Sequence, residues 1–146
     1  MSVGERVVTA AAATVLVAVG VMLAVLGAFL VPFRLFGHVE GLSVVLAVVG
    51  NLVVGLAAGY GLSSPWGAMA PGFGWLVAAG WLTYDRPRGG GVLIPGKLGN
   101  DPGVVTVATL WVVGGIAALG IAVAITAMRR RSPAFGLHQT DERAEA

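Results

Sequence analysis

The stretch Val7–Val31, VVTAAAATVLVAVGVMLAVLGAFLV, runs for 25 residues without a charged side chain. At a rise of 1.5 Å per residue such a helix is about 37 Å long, enough to cross a hydrocarbon core of about 30 Å with some tilt. It continues directly into Pro32-Phe33-Arg34 and lacks the short apolar core and small-residue cut site of a cleaved leader, so it reads as a retained span. Three more apolar runs follow, at about 42–60, 66–84 and 104–128. Together they predict an all-α polytopic membrane protein, with four transmembrane helices in a compact bundle.

Composition agrees with this reading. Of 146 residues, 57% are hydrophobic and only 11% charged, with a mean hydropathy of +0.89, which is too apolar for a soluble domain of this size. The segments outside the runs are too short to bury a core of their own, so residues 1–131 form one four-span domain. The segment 132–146, polar and charged towards its end, is expected to be a flexible tail. The chain has no cysteine, which excludes disulfides, thiolate metal sites and cysteine nucleophiles. A net charge of +2 gives no nucleic-acid face.

The second run is followed by Gly61-Leu62-Ser63-Ser64-Pro65, a short turn-forming connection that makes runs two and three antiparallel neighbours. The third is interrupted by Pro71-Gly72-Phe73-Gly74 and is expected to be a span kinked at Pro71, its released backbone groups satisfied by neighbouring helices. Tyr60 and Trp66 then mark one membrane interface, Trp81 and Tyr84 the other. The fourth run stops at Arg129-Arg130-Arg131, read as a cytoplasmic topology anchor. In a four-span chain Arg6, Arg129, Arg130, Arg131 and Arg143 share one side, and Arg34, Arg86, Arg88 and Lys97 the other. The positive-inside rule then favours both termini in the cytoplasm.

Small residues recur at four-residue spacing, which lets helix backbones approach closely. Gly55 and Gly59 form a GxxxG pair, and Gly114 with Ala118 and Gly120 with Ala124 continue the pattern. Asn51, the one strongly polar side chain near the middle of a span, is expected to face another helix as a tether to Thr106, Thr109 or a backbone carbonyl. The alternative places it beside a solute path. Glu5 and Glu40 lie at span ends, so the membrane-embedded glutamate that proton-coupled multidrug exporters use is missing.

The loops carry the remaining chemistry. Gly91-Val92-Leu93-Ile94-Pro95-Gly96-Lys97 fits G-x4-G-K, but Leu98 stands where a phosphate-binding loop needs Ser or Thr, and no nucleotide is expected. Pro95-Gly96 reads instead as the centre of a type II turn. Arg34, His38, Glu40, Arg86 and Arg88 share the outer face, where they could meet lipid phosphates or a partner's carboxylates. His38 has no second histidine on its side to complete a metal site. No arrangement of serine, histidine and carboxylate suggests a hydrolase. No cofactor, metal or catalytic residue is expected.

Two stretches are more specific, Trp66-Gly67-Ala68-Met69-Ala70-Pro71-Gly72-Phe73-Gly74-Trp75-Leu76 and Arg86-Pro87-Arg88-Gly89-Gly90-Gly91-Val92-Leu93-Ile94-Pro95-Gly96. In these, and in the order of its spans, the chain resembles a family of uncharacterised small four-span membrane proteins of actinobacteria. That resemblance implies a bacterial cytoplasmic (inner) membrane location and transfers no catalytic residue. The expected function is that of an accessory, scaffold or assembly subunit of a cell-envelope complex, partnered by the lipid bilayer and by other membrane proteins or itself. A small oligomeric transporter or channel is the alternative.

Overall fold

The computed structural model describes residues 3–36, 38, 39, 41–84 and 102–131, with the backbone alone at 38, 39, 130 and 131. Four helices account for nearly all of them: α1 (Val3–Leu30), α2 (Leu42–Gly61), α3 (Pro65–Thr83) and α4 (Pro102–Arg131). Between α1 and α2 lie two short strands, β1 (Arg34–Leu35) and β2 (His38–Val39), paired antiparallel with Arg34 opposite Val39 and Leu35 opposite His38. The readings made for Glu40, for the loop containing Arg86 and Arg88, and for the tail 132–146 lie outside the described residues.

The apolar runs mark the helices to within a few residues, and the differences have local causes. The first helix starts four residues early, at Val3, and takes Glu5 into its first turn, where a carboxylate faces the positive end of the helix dipole. The last helix does not stop at Met128. It continues through Arg131, so the arginines form its final turn, where cations oppose the negative end of the dipole. Between α2 and α3 the reversal is tight. Ser63 N–H donates to the Tyr60 carbonyl at 3.1 Å and Ser64 N–H to the Gly59 carbonyl at 3.0 Å. This paired closure is a Schellman motif, and it puts Ser63 in the left-handed region at φ 45°, a position usually given to glycine. Ser64 is then extended and Pro65 opens α3 at its first turn, where the missing N–H costs nothing.

Three helices, α1, α2 and α4, are long and apolar enough to cross a membrane. At 19 residues, α3 is nearly as long as α2, but Pro65, Pro71, four glycines and three tryptophans keep it out of that set. The helix is continuous through Pro71.

Neighbouring side chains fix the directions. Val17 meets Gly74 while Gly20 meets Pro71 and Trp75, and Val21 and Val25 share a shallow groove with Ala78 and Leu82, so α1 and α3 run parallel. Val48 meets Gly114, Gly55 meets Ala122 and Gly59 meets Thr126, so α2 and α4 are also parallel. The sequential pairs α1 with α2, α2 with α3 and α3 with α4 are antiparallel. The bundle is therefore two helical hairpins laid side by side in the same sense, with α2 and α3 in the middle and α1 and α4 flanking them.

Burial follows size in the opposite sense to a water-soluble protein. Ala24, Ala28, Ala47, Ala58, Ala68, Ala79, Ala108, Ala118 and Ala122 are buried, whereas Met22, Leu26, Phe29, Val45, Val53, Phe73, Ile116 and Ile121 are exposed. A lipid solvent removes the hydrophobic penalty on the outer surface and leaves close van der Waals packing as the force that selects small residues inside. So extensive an exposed apolar surface suits a membrane location.

Candidate functional site

The inner face of α2 is a stripe with a period of four: Ser43, Ala47, Asn51, Gly55 and Gly59, all buried. Each is small or polar, so the stripe lets other helices come close while concentrating the buried polar groups of the span. Gly55 and Gly59 lie against Ala122 and Thr126 of α4, where an added Cβ at Gly55 would stand 2.9 Å from that of Ala122. Gly114 has the same relation to Val48, at 2.9 Å. Gly120 does not: it is exposed on α4, and a side chain there would meet nothing within 4 Å. Among the described residues, none lies within 4 Å of a side chain added at Gly120.

The closest approach joins α1 to α3. A Cβ on Gly20 would strike the Pro71 carbonyl oxygen, and one on Gly74 would strike the Val17 carbonyl oxygen. These are contacts of backbone on backbone, which a side chain could not relieve by changing rotamer. They surround Pro71, itself fully buried.

Two indoles fill the middle of the bundle. Trp75 on α3 and Trp111 on α4 are completely buried, with ring centroids 5.3 Å apart and planes at 53°, within the range of tilted aromatic pairs. They have room because Gly27 on α1 faces the Trp111 ring and Gly115 on α4 faces the Trp75 ring. Sequence reasoning had assigned neither tryptophan a role. The available signal was position, because tryptophan belongs at membrane interfaces and these two stand well inside their helices, whereas Trp66 and Trp81, near the helix ends, are exposed.

Asn51 is completely buried, and neither its Oδ1 nor its Nδ2 has a hydrogen-bond partner among the described residues. The expected tether is absent. Thr106 and Thr109 are exposed and donate within their own helix, to the Pro102 carbonyl at 2.8 Å and the Val105 carbonyl at 2.9 Å. Ser43 Oγ and the Nε1 atoms of Trp75 and Trp111 are likewise buried and unpaired. The four side chains hold more donors than acceptors, since each indole and each amide N–H can only donate. Each such group, buried without a partner, costs about 1–3 kcal/mol.

The outer-face cluster is only partly within view. Arg34 is exposed on β1 and the backbone of His38 pairs beside it in β2. Glu40, Arg86 and Arg88 lie outside the described residues. At the opposite end of the bundle, the Arg129 guanidinium carbon stands 5.1 Å from the centroid of the Tyr60 ring. Among the described residues no group of three His, Cys, Asp or Glu side chains could hold a metal ion. No family model matches this chain, and comparisons with curated proteins and with solved structures also give no match.

Proposed function

We propose that this chain crosses the bacterial cytoplasmic membrane four times and serves other envelope proteins as an accessory or assembly subunit, with no catalytic chemistry of its own. In this reading α3 is the third span. A 19-residue helix is about 28 Å long, close to the thickness of the hydrocarbon core. It lies against all three other helices, and neighbours of this kind can compensate a bend at Pro71. Both termini face the cytoplasm, with Arg129, Arg130 and Arg131 retaining the end of α4 there.

The observation that carries the subunit reading is the division of small residues. Gly20 and Gly74 are consumed in backbone contacts, and Gly55 and Gly59 in contacts with the Ala122 and Thr126 side chains, which together make the bundle a rigid unit, while Gly120, with Ala117 and Ala124 beside it on α4, remains outside as a surface another helix can approach. Mild extraction of the tagged protein from its native membrane, followed by quantitative mass spectrometry of what co-purifies, tests this. A stoichiometric protein partner is expected, and recovery of the chain alone overturns the reading.

A specific observation favours a second reading, a small transporter or channel. The unpaired groups of Ser43, Asn51, Trp75 and Trp111 lie inside the bundle, where a polar solute would find hydrogen bonds. Flux in liposomes that Asn51→Ala abolishes, with the bundle intact, would establish it. Flux that Asn51→Ala leaves unchanged removes its best residue.

A further inference from the structure

A cavity of about 300 Å³ opens at the end of the bundle where α2 and α4 both finish, lined by Gly59 and Tyr60 of α2, Ser63 of the reversal, and Thr126 and Arg129 of α4. Unlike the apolar grooves along the helices, it combines a cation with hydroxyls. The Tyr60 ring supports the Arg129 guanidinium at 5.1 Å, a cation–π distance. Thr126 donates its proton to the Ala122 and Val123 carbonyls, both at 2.9 Å, which fixes its side chain against the helix. Ser63 lies only at the limit of hydrogen-bonding range from the Tyr60 carbonyl, at 3.5 Å, so its hydroxyl is free to turn outward. The floor is Gly59, kept bare because a Cβ there would collide with Thr126 Cγ2. Among the described residues no carboxylate lines the cavity.

We propose that this cavity binds the phosphate of an anionic phospholipid headgroup. A planar guanidinium with a hydroxyl donor beside it, here Arg129 and Ser63, is the chemistry that recognises phosphate oxygens, and the sequence continues from Arg129 into two more cations, Arg130 and Arg131. The lipid, rather than a free phosphate, follows from the place. Both α2 and α4 are long and apolar enough to cross a membrane, so their common end lies at the headgroup level whichever way the chain is oriented. Directly along the helices from Tyr60 and Arg129, the exposed Val53 and Ala57 on α2 and Ile121 and Ile125 on α4 offer an apolar surface to acyl chains. The site is independent of the subunit reading and of whether α3 spans.

Native mass spectrometry of the purified full chain, in a neutral detergent with phosphatidylglycerol, phosphatidylcholine or inorganic phosphate added, tests the proposal. One phosphatidylglycerol is expected to stay bound in preference to phosphatidylcholine. Arg129→Gln should lower that occupancy about tenfold, the loss expected for a charge-assisted hydrogen bond, with Ser63→Ala giving a smaller drop in the same direction. Arg130→Gln, which changes the net charge equally one residue further along the chain, should retain most of the lipid. Equal loss in Arg129→Gln and Arg130→Gln would mean diffuse attraction to the arginine run and overturn the site. Displacement of the lipid by inorganic phosphate would make it a soluble-anion site and overturn the lipid assignment. Ser63→Ala, which removes only a surface hydroxyl, keeps the test open if Arg129→Gln does not fold, and unchanged binding in it alongside unchanged binding in Arg129→Gln defeats the proposal outright.

Discussion

Gly74 and Gly120 lie in neighbouring helices, and their sequence surroundings give little reason to treat them differently. Their environments are opposite. A side chain on Gly74 is driven into the Val17 carbonyl, and one on Gly120 meets nothing within 4 Å. Gly74→Val should therefore cost about 3 kcal/mol or more, since neither backbone can retreat from the other, while Gly120→Val stays within about 0.5 kcal/mol. Thermal or denaturant unfolding in detergent reads the difference, and similar losses in both would contradict the α1–α3 contact. Asn51 invites a different expectation. Removing an unpaired buried amide gains roughly what the lost packing costs, so Asn51→Ala should alter stability by less than about 1 kcal/mol. A loss above about 2 kcal/mol would show that the amide has a partner in the membrane.

Among the elements, α3 is where sequence and structure differ most in what they emphasise. The four apolar runs were legible because twenty or so uncharged residues leave few alternatives to a helix in lipid, and the ends of α2 and α3 were legible from Gly61 through Pro65. The pairing of helices was not. A four-residue spacing of small residues says that something comes close, but Gly55 and Gly59, or Gly114 and Ala118, do not name the helix that comes. Nor could the spacing separate Gly114, where an added Cβ meets Val48, from Gly120, where it meets none of the described residues within 4 Å. The crossing of α3 is open to direct measurement because the chain has no cysteine to remove first. Single cysteines replacing Ser63 and Tyr84, at either end of α3, should react with a membrane-impermeant maleimide from opposite sides of oriented vesicles. Labelling of both from one side would make α3 a re-entrant element instead of a span.

For the whole molecule, the decisive feature is the parallel pairing of α1 with α3 and of α2 with α4, because the closest contacts of the first hairpin are made with the second. Gly20 must wait for Pro71, and Gly27 for Trp111. At a synthesis rate of about 5–20 residues per second, the stretch from the end of α1 at Leu30 to the end of α3 at Thr83 takes roughly 3–10 s, and α1 sits in the membrane for that time with its narrow face unfilled. During that interval nothing in the chain itself distinguishes the correct neighbour from any other passing helix with a small-residue face. Translation speed through residues 62–75, and whatever insertion machinery shelters α1 meanwhile, thus become part of what determines whether the nascent chain ends as one bundle or as a tangle with its neighbours.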